Sequence, residues 1–282
     1  MRRVLHQFLR SVAVIAIAVL YSGSAATQVS WETNLDKASE AARKGNRAML
    51  LEFWSATCEP CKVLDETVFP DERIGMALKK LHTVRVDVDK QPEIARKYNV
   101  NGTPTLMVTD SYGTELFRYT GLLGADRMRQ LLEELPADVS RLNQLSLALA
   151  RDKDDFVALT AFGRELRAEG FYRSSNRHLD RALRTRATVD QQDARAEILV
   201  AMGRNHFELK EYDRSAKAFE RHLREFSRRP SEPEVMLGLG WALLAQNKTA
   251  DGRKVLQALT EKHKNSRAAA DAAKLLSRSP GL

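Results

Sequence analysis

Cysteine is nearly absent: the 282 residues hold two. That number excludes a disulfide-stapled mini-domain and leaves too few thiolates for a cysteine-only zinc site, which needs about four ligands. The six histidines include no pair at ligand spacing, so no zinc motif can be assembled from them either, and no metal is expected. No apolar run reaches the roughly 20 residues a spanning helix needs. Basic stretches interleaved with aromatics are missing too, and with them any recognisable nucleic-acid module; no nucleic-acid partner is expected. The charge is uneven. Residues 1–26 carry three arginines and no acid, 27–135 carry 15 basic and 17 acidic groups, and 136–282 carry 27 basic and 20 acidic groups, which together give the net +8. The basic half reads as solvated helix faces with an arginine bias.

The two cysteines sit together, in Phe53-Trp54-Ser55-Ala56-Thr57-Cys58-Glu59-Pro60-Cys61-Lys62. The apolar run Ala48–Trp54 before them reads as a buried strand, and a helical pattern begins after them. At a strand-to-helix junction, unpaired N–H groups and the positive end of the helix dipole favour a thiolate. Cys58, at the helix start, is then the attacking sulfur, and Cys61, one turn further in, can resolve a mixed disulfide. As a mere staple the pair would close too short a loop to stabilise the chain much.

Trp54–Lys62, together with Asn101-Gly102-Thr103-Pro104-Thr105, resembles the thioredoxin superfamily. Trp31, the helix Leu35–Arg43 and Val68-Phe69-Pro70-Asp71 resemble periplasmic thioredoxin-like reductases such as the carboxy-terminal domain of the disulfide-interchange protein DsbD. The likeness covers roughly residues 29–135. It implies a cis proline at Pro104 facing the disulfide, with the backbone of Thr103 pairing to a substrate strand, and Trp54 completes the expected substrate-binding set. It also implies that Glu52 is the buried carboxylate that exchanges a proton with the second cysteine, with Arg85 where thioredoxins carry a lysine. On strand alternation Glu52 shares a face with Leu50 and Trp54; a wet glutamate at a strand edge is the alternative. Thr57 replaces the usual tryptophan, and Glu59 replaces the usual glycine between the cysteines. A carboxylate beside Cys58 opposes its thiolate and tilts the couple towards a reductant.

The segments Asn34–Lys44, Ala48–Trp54, Pro60–Thr67, Glu72–Leu81, His82–Val88, Pro92–Tyr98, Thr105–Thr109, Thr114–Tyr119 and Ala125–Leu135 are predicted as one added helix followed by β-α-β-α-β-β-α. From Val139 on, helical periodicity dominates. Leu159, Phe162, Gly163, Leu166, Gly170, Tyr172, Leu179 and Ala182 fit a tetratricopeptide helix pair. Leu199, Gly203, Tyr212, Phe219 and Leu223 fit a second, and Gly240, Leu243, Leu256 and Leu259 a third. The marker glycines are 40 and 37 residues apart rather than the usual 34, which predicts degenerate repeats with stretched links and a capping helix Ser266–Leu276.

The expected organisation is a signal peptide (1–26), a thioredoxin-like domain (27–136) and a tetratricopeptide-like helical domain (137–282). The fold class is an α/β thioredoxin fold followed by an all-α repeat domain. Arg2, Arg3 and Arg10, the apolar Ser11–Leu20 and Ser24-Ala25-Ala26 predict export to a bacterial periplasm with cleavage after Ala26. The expected function is that of a thiol–disulfide oxidoreductase reducing protein clients without a cofactor. By resemblance, a membrane thiol relay supplies its electrons, while the helical repeats hold a peptide or protein segment. A protein-binding or chaperone-like adaptor that uses the helical repeats and turns over little, and a disulfide oxidase or isomerase, are the rival readings.

Overall fold

In the computed structural model the described residues are 29–186 and 188–278. The expected leader and its cleavage point after Ala26 lie outside them. Asn34 starts α1 (Leu35–Gly45) by accepting a hydrogen bond from the Lys37 amide at 2.9 Å, and Asn46 closes it in the left-handed conformation. Then follow β1 (Met49–Trp54), α2 (Glu59–Val63), α3 (Glu72–Leu78), β2 (His82–Asp87), α4 (Pro92–Lys97), β3 (Thr105–Thr109), β4 (Glu115–Thr120) and α5 (Ala125–Glu133). The sheet order is β2-β1-β3-β4, with β1 parallel to β2 and the other pairs antiparallel. This is the thioredoxin-like arrangement that the sequence implied. β1 is interior and buried on both faces, which explains its unbroken apolar run. Leu50 faces Leu64, Val68 and Met128 on one side, and Met49, Leu51 and Phe53 face Val84, Val86 and Tyr98 on the other.

The helix after the cysteines departs from expectation. Instead of one α-helix to Thr67, α2 passes into a π-helical turn, Leu64–Val68, with Phe69 N bonded to Leu64 O. Such wide turns recur at functional sites. α3 also ends at Leu78, three residues earlier than its periodicity suggested.

Among the described residues eight α-helices follow: α6 (Ser140–Arg151), α7 (Phe156–Ala168), α8 (Tyr172–Arg184), α9 (Gln192–Glu208), α10 (Tyr212–Glu225), α11 (Glu232–Ala245), α12 (Thr249–Lys262) and α13 (Arg267–Arg278). Three pairs, α7–α8, α9–α10 and α11–α12, repeat one design. A Cβ on Gly163 would lie 2.5 Å from Leu179, on Gly203 2.5 Å from Phe219, and on Gly240 2.5 Å from Leu256. Each glycine therefore meets the residue 16 positions later. Twelve positions after the first two glycines, Ser175 and Ser215 donate to the glycine carbonyls at 2.7 and 2.8 Å. The internal geometry of each pair is fixed, so the excess length falls in the links. Phe219 is wedged between Gly203 and Gly238. Gly203→Ala is expected to overpack this joint and cost about 1–3 kcal/mol, read as a lower urea midpoint at unchanged slope.

α6 packs on α7 of the first repeat and also reaches the core over the sheet. Its Leu142 and Leu145 join a core with Leu50, Val108 and Leu116, and Phe162 and Phe171 extend that core into the first repeat. Polar contacts fasten the junction. The Asn143 side chain accepts from the Ser111 amide at 3.1 Å and donates to Ser111 Oγ at 3.1 Å; Ser146 donates to Asp110, and Arg177 reaches Glu115 at 2.6 Å. Burial pushes the Asp110 carboxyl upward, against the hydrogen bonds from Ser146, Thr114 and Tyr112.

Candidate active site

Cys58 is the N-cap of α2. Cys58 and Cys61 are joined in a disulfide, and Cys58 Sγ also accepts from the Cys61 amide at 3.2 Å. Pro60 sits in the first turn, where a missing N–H costs nothing. Cys58 is 6% exposed and Cys61 1%, so the outer sulfur is the one at the helix terminus. Glu59 is exposed and paired with Lys62 Nζ at 2.6 Å, so a cation shares the electrostatic environment that sequence reasoning assigned to a lone carboxylate.

Glu52 is fully buried on an interior strand, which removes the wet-edge alternative. It stands in register with Arg85 on β2, and Arg85 Nε donates to Glu52 Oε2 at 2.9 Å. The other carboxylate oxygen has no hydrogen-bond partner among the described residues. Burial raises the Glu52 pKa to about 7, against the pull of the Arg85 cation and with a small upward push from Asp65. The guanidinium lies 5.3 Å from the Trp31 ring centre and 4.9 Å from that of Trp54, and its Nη2 donates to Asp65 Oδ1 at 2.5 Å. Trp31 meets Phe69 edge-on at 5.1 Å.

Asp65 was missed by sequence reasoning. The signal available was an acid four residues after Cys61, but the π-helical turn that carries it is not a feature of periodicity. Trp54, expected to contact substrate, is half-buried and spends one face on Arg85.

The Thr103–Pro104 peptide is cis. Thr105 pairs with Phe53 across antiparallel strands, so the loop before it shares an end of the sheet with Ser55–Cys58. Thr105 Oγ1 donates to Gly102 O at 2.7 Å, and the Gly121 amide to Pro104 O at 2.8 Å, which fixes the loop from both sides. The fold thus gathers Trp54, Cys58, Cys61, Thr103 and Pro104 at one end, with Glu52 deeper on the same central strand. A thiol pair, a buried group titrating near neutrality and a shaped loop are suited to thiol–disulfide exchange.

Residues 35–136 match the model of a thioredoxin-like domain, and residues 206–276 that of a tetratricopeptide repeat. The chain joins a thioredoxin-like domain to tetratricopeptide repeats. It is 30% identical over 104 residues to the thiol:disulfide interchange protein DsbD of Campylobacter jejuni, covering 36% of this chain and 18% of that protein. It is 26% identical over 164 residues to a protein disulfide-isomerase of Schizosaccharomyces pombe, covering 53% and 44%. The chain therefore spans less than half the length of these curated relatives. The reduced carboxy-terminal domain of DsbD from Neisseria meningitidis aligns at 20% identity with a TM-score of 0.32, over 36% of this chain and 92% of that one.

Proposed function

We propose that this protein is an exported thiol–disulfide oxidoreductase that works in the reducing direction on protein clients in the bacterial periplasm. The observation that carries the reading is the Cys58–Cys61 disulfide at the start of α2, with the buried Glu52 in the strand that leads to it. In the reduced protein the Cys58 thiolate attacks a client disulfide and one client sulfur leaves as a thiol. Cys61, deprotonated with the help of Glu52, then attacks Cys58 Sγ; the client leaves reduced and the protein keeps the disulfide. Thr103 and Pro104 hold the client strand, and the repeats select or tether it. A membrane thiol relay returns two electrons per cycle.

Export rests on the amino-terminal pattern, and the direction on Glu59. The reduction potential of the Cys58–Cys61 couple tests the direction. A value near or below about −230 mV is expected; about −120 to −180 mV would make the protein an oxidase or isomerase. Glu59→Gln is expected to lower the Cys58 pKa and raise the potential, and the Lys62 pairing keeps both changes modest. A thiol titration without any fall would remove Glu59 from the argument.

A further inference from the structure

Trp31 lies ahead of α1 and outside the residues that match the thioredoxin-like model. It is nevertheless tied to the sheet. Glu32 bridges Val84 in parallel: its amide donates to Thr83 O at 3.0 Å, and its carbonyl accepts from the Arg85 amide at 2.8 Å. Thr83 Oγ1 donates to Ser30 O at 2.5 Å. The Glu32 carboxylate is used locally, by the Thr33 and Asn34 amides and by Lys37 Nζ at 3.0 Å. Residues 30–32 thus line the outer edge of β2, the end strand of the sheet.

This strap decides where one side chain goes. Glu32 and Val84 stand opposite each other, so their neighbours Trp31 and Arg85 point together to the other face. Glu52, in register with Arg85, lies on that same face. The Trp31 ring takes one position over the Arg85 guanidinium and is backed by Phe69, while Trp54 takes another.

Arg85 has two acids to serve. Nε donates to Glu52, which is fully buried, and Nη2 to Asp65, whose side chain is 40% exposed. The other acids nearby are occupied: Asp87, on the same face of β2, pairs with Lys90, and Glu32 pairs with Lys37. On the far side of Glu52, β3 places the uncharged Leu106 in register. A guanidinium free to move follows the wetter acid, where it keeps its hydration. An aromatic face attracts the cation, and more strongly where water is excluded. The two rings therefore oppose the outward pull of Asp65.

We propose that Trp31 is a positioning residue of the redox site: it holds the Arg85 guanidinium against Glu52 and so sets the pH at which Glu52 takes the proton of Cys61. The proposal rests on the proton-transfer reading above and gives the segment before α1 a part in it. Burial raises the Glu52 pKa to about 7 and Arg85 pulls it down, so a loosened guanidinium lets it climb.

The test follows the carbon-13 carboxyl resonance of Glu52 against pH in the oxidised protein, assigned by its disappearance in Glu52→Gln. Trp31→Leu keeps apolar bulk against Phe69, so Glu52 stays dry, but it removes the face that attracts the cation. The midpoint should rise by about half a unit to one unit. Trp31→Phe, which keeps a ring face, should restore most of that shift. Arg85→Met should raise the midpoint by about one to three units, and on that background Trp31→Leu should move it no further. A midpoint in Trp31→Leu that is unchanged or lower would overturn the proposal. So would an equal shift in Trp31→Phe, or a Trp31→Leu shift that persists without Arg85. A midpoint that moves as expected, while client release by the reduced protein shows no inflection at it in any variant, would instead overturn the proton-transfer reading and leave the clamp standing.

Discussion

A Cys58→Ser variant is expected to lose disulfide reduction by a factor on the order of 10³ or more, while Cys61→Ser stops one step later and accumulates a covalent client conjugate. The asymmetry follows from position. Cys58 caps the helix, where the dipole and free amides support a thiolate, and it is the more exposed sulfur. A serine hydroxyl at the same place is not ionised and cannot attack sulfur. Cys61→Ser leaves the attacking group intact and removes the one that releases the client. Non-reducing electrophoresis with a disulfide-bearing client distinguishes the two variants. Conjugate with Cys58→Ser and none with Cys61→Ser would reverse the assigned roles.

The second large effect belongs to Glu52. Glu52→Gln is expected to slow client release by roughly 10²- to 10⁴-fold and to abolish a pH inflection near 7 in that step, with the initial attack by Cys58 little changed. Glutamine keeps an oxygen for the Arg85 Nε hydrogen bond but can neither take nor give a proton at neutral pH. An unaltered pH profile would remove Glu52 from proton transfer.

Stability provides an independent reading of the same group. Its pKa of about 7 in the folded protein lies above the unfolded carboxyl value near 4.3. The favourable contribution of the neutral acid is therefore complete below about pH 4.3 and is lost as pH rises through 7. Above that, ionised Glu52 costs on the order of 3 kcal/mol relative to acid conditions. Glu52→Gln is accordingly expected to gain stability relative to wild type between pH 4 and pH 9. Denaturation of both oxidised proteins at the two pH values measures it, and a difference independent of pH would contradict the buried-acid account.

Much of this was legible in the chain, because the signals were local. An apolar run, two cysteines at helical spacing and a proline in the first turn fix a strand, a cap and a helix within about 15 residues. Gly163, Gly203 and Gly240 were visible as markers because each repeat packs its own two helices, so its contacts recur at a fixed offset of 16. The boundaries were less secure. The active-site helix widens at Leu64–Val68, a change of hydrogen-bonding partner that leaves the side-chain pattern almost unaltered.

What the sequence determined by itself is therefore the pair of architectures, the redox pair with its proline loop and the odd glutamate in an apolar strand, all of them written in neighbouring residues. The tertiary structure alone decided that Arg85 lies between two tryptophans and ties Glu52 to Asp65. It alone placed α6 over the sheet through Asn143 and Ser146, and laid Trp31 and Glu32 along β2. Those arrangements join residues 20 to 36 positions apart and farther. They depend on which faces pack together, and hydrophobic periodicity marks a face as buried without naming its partner.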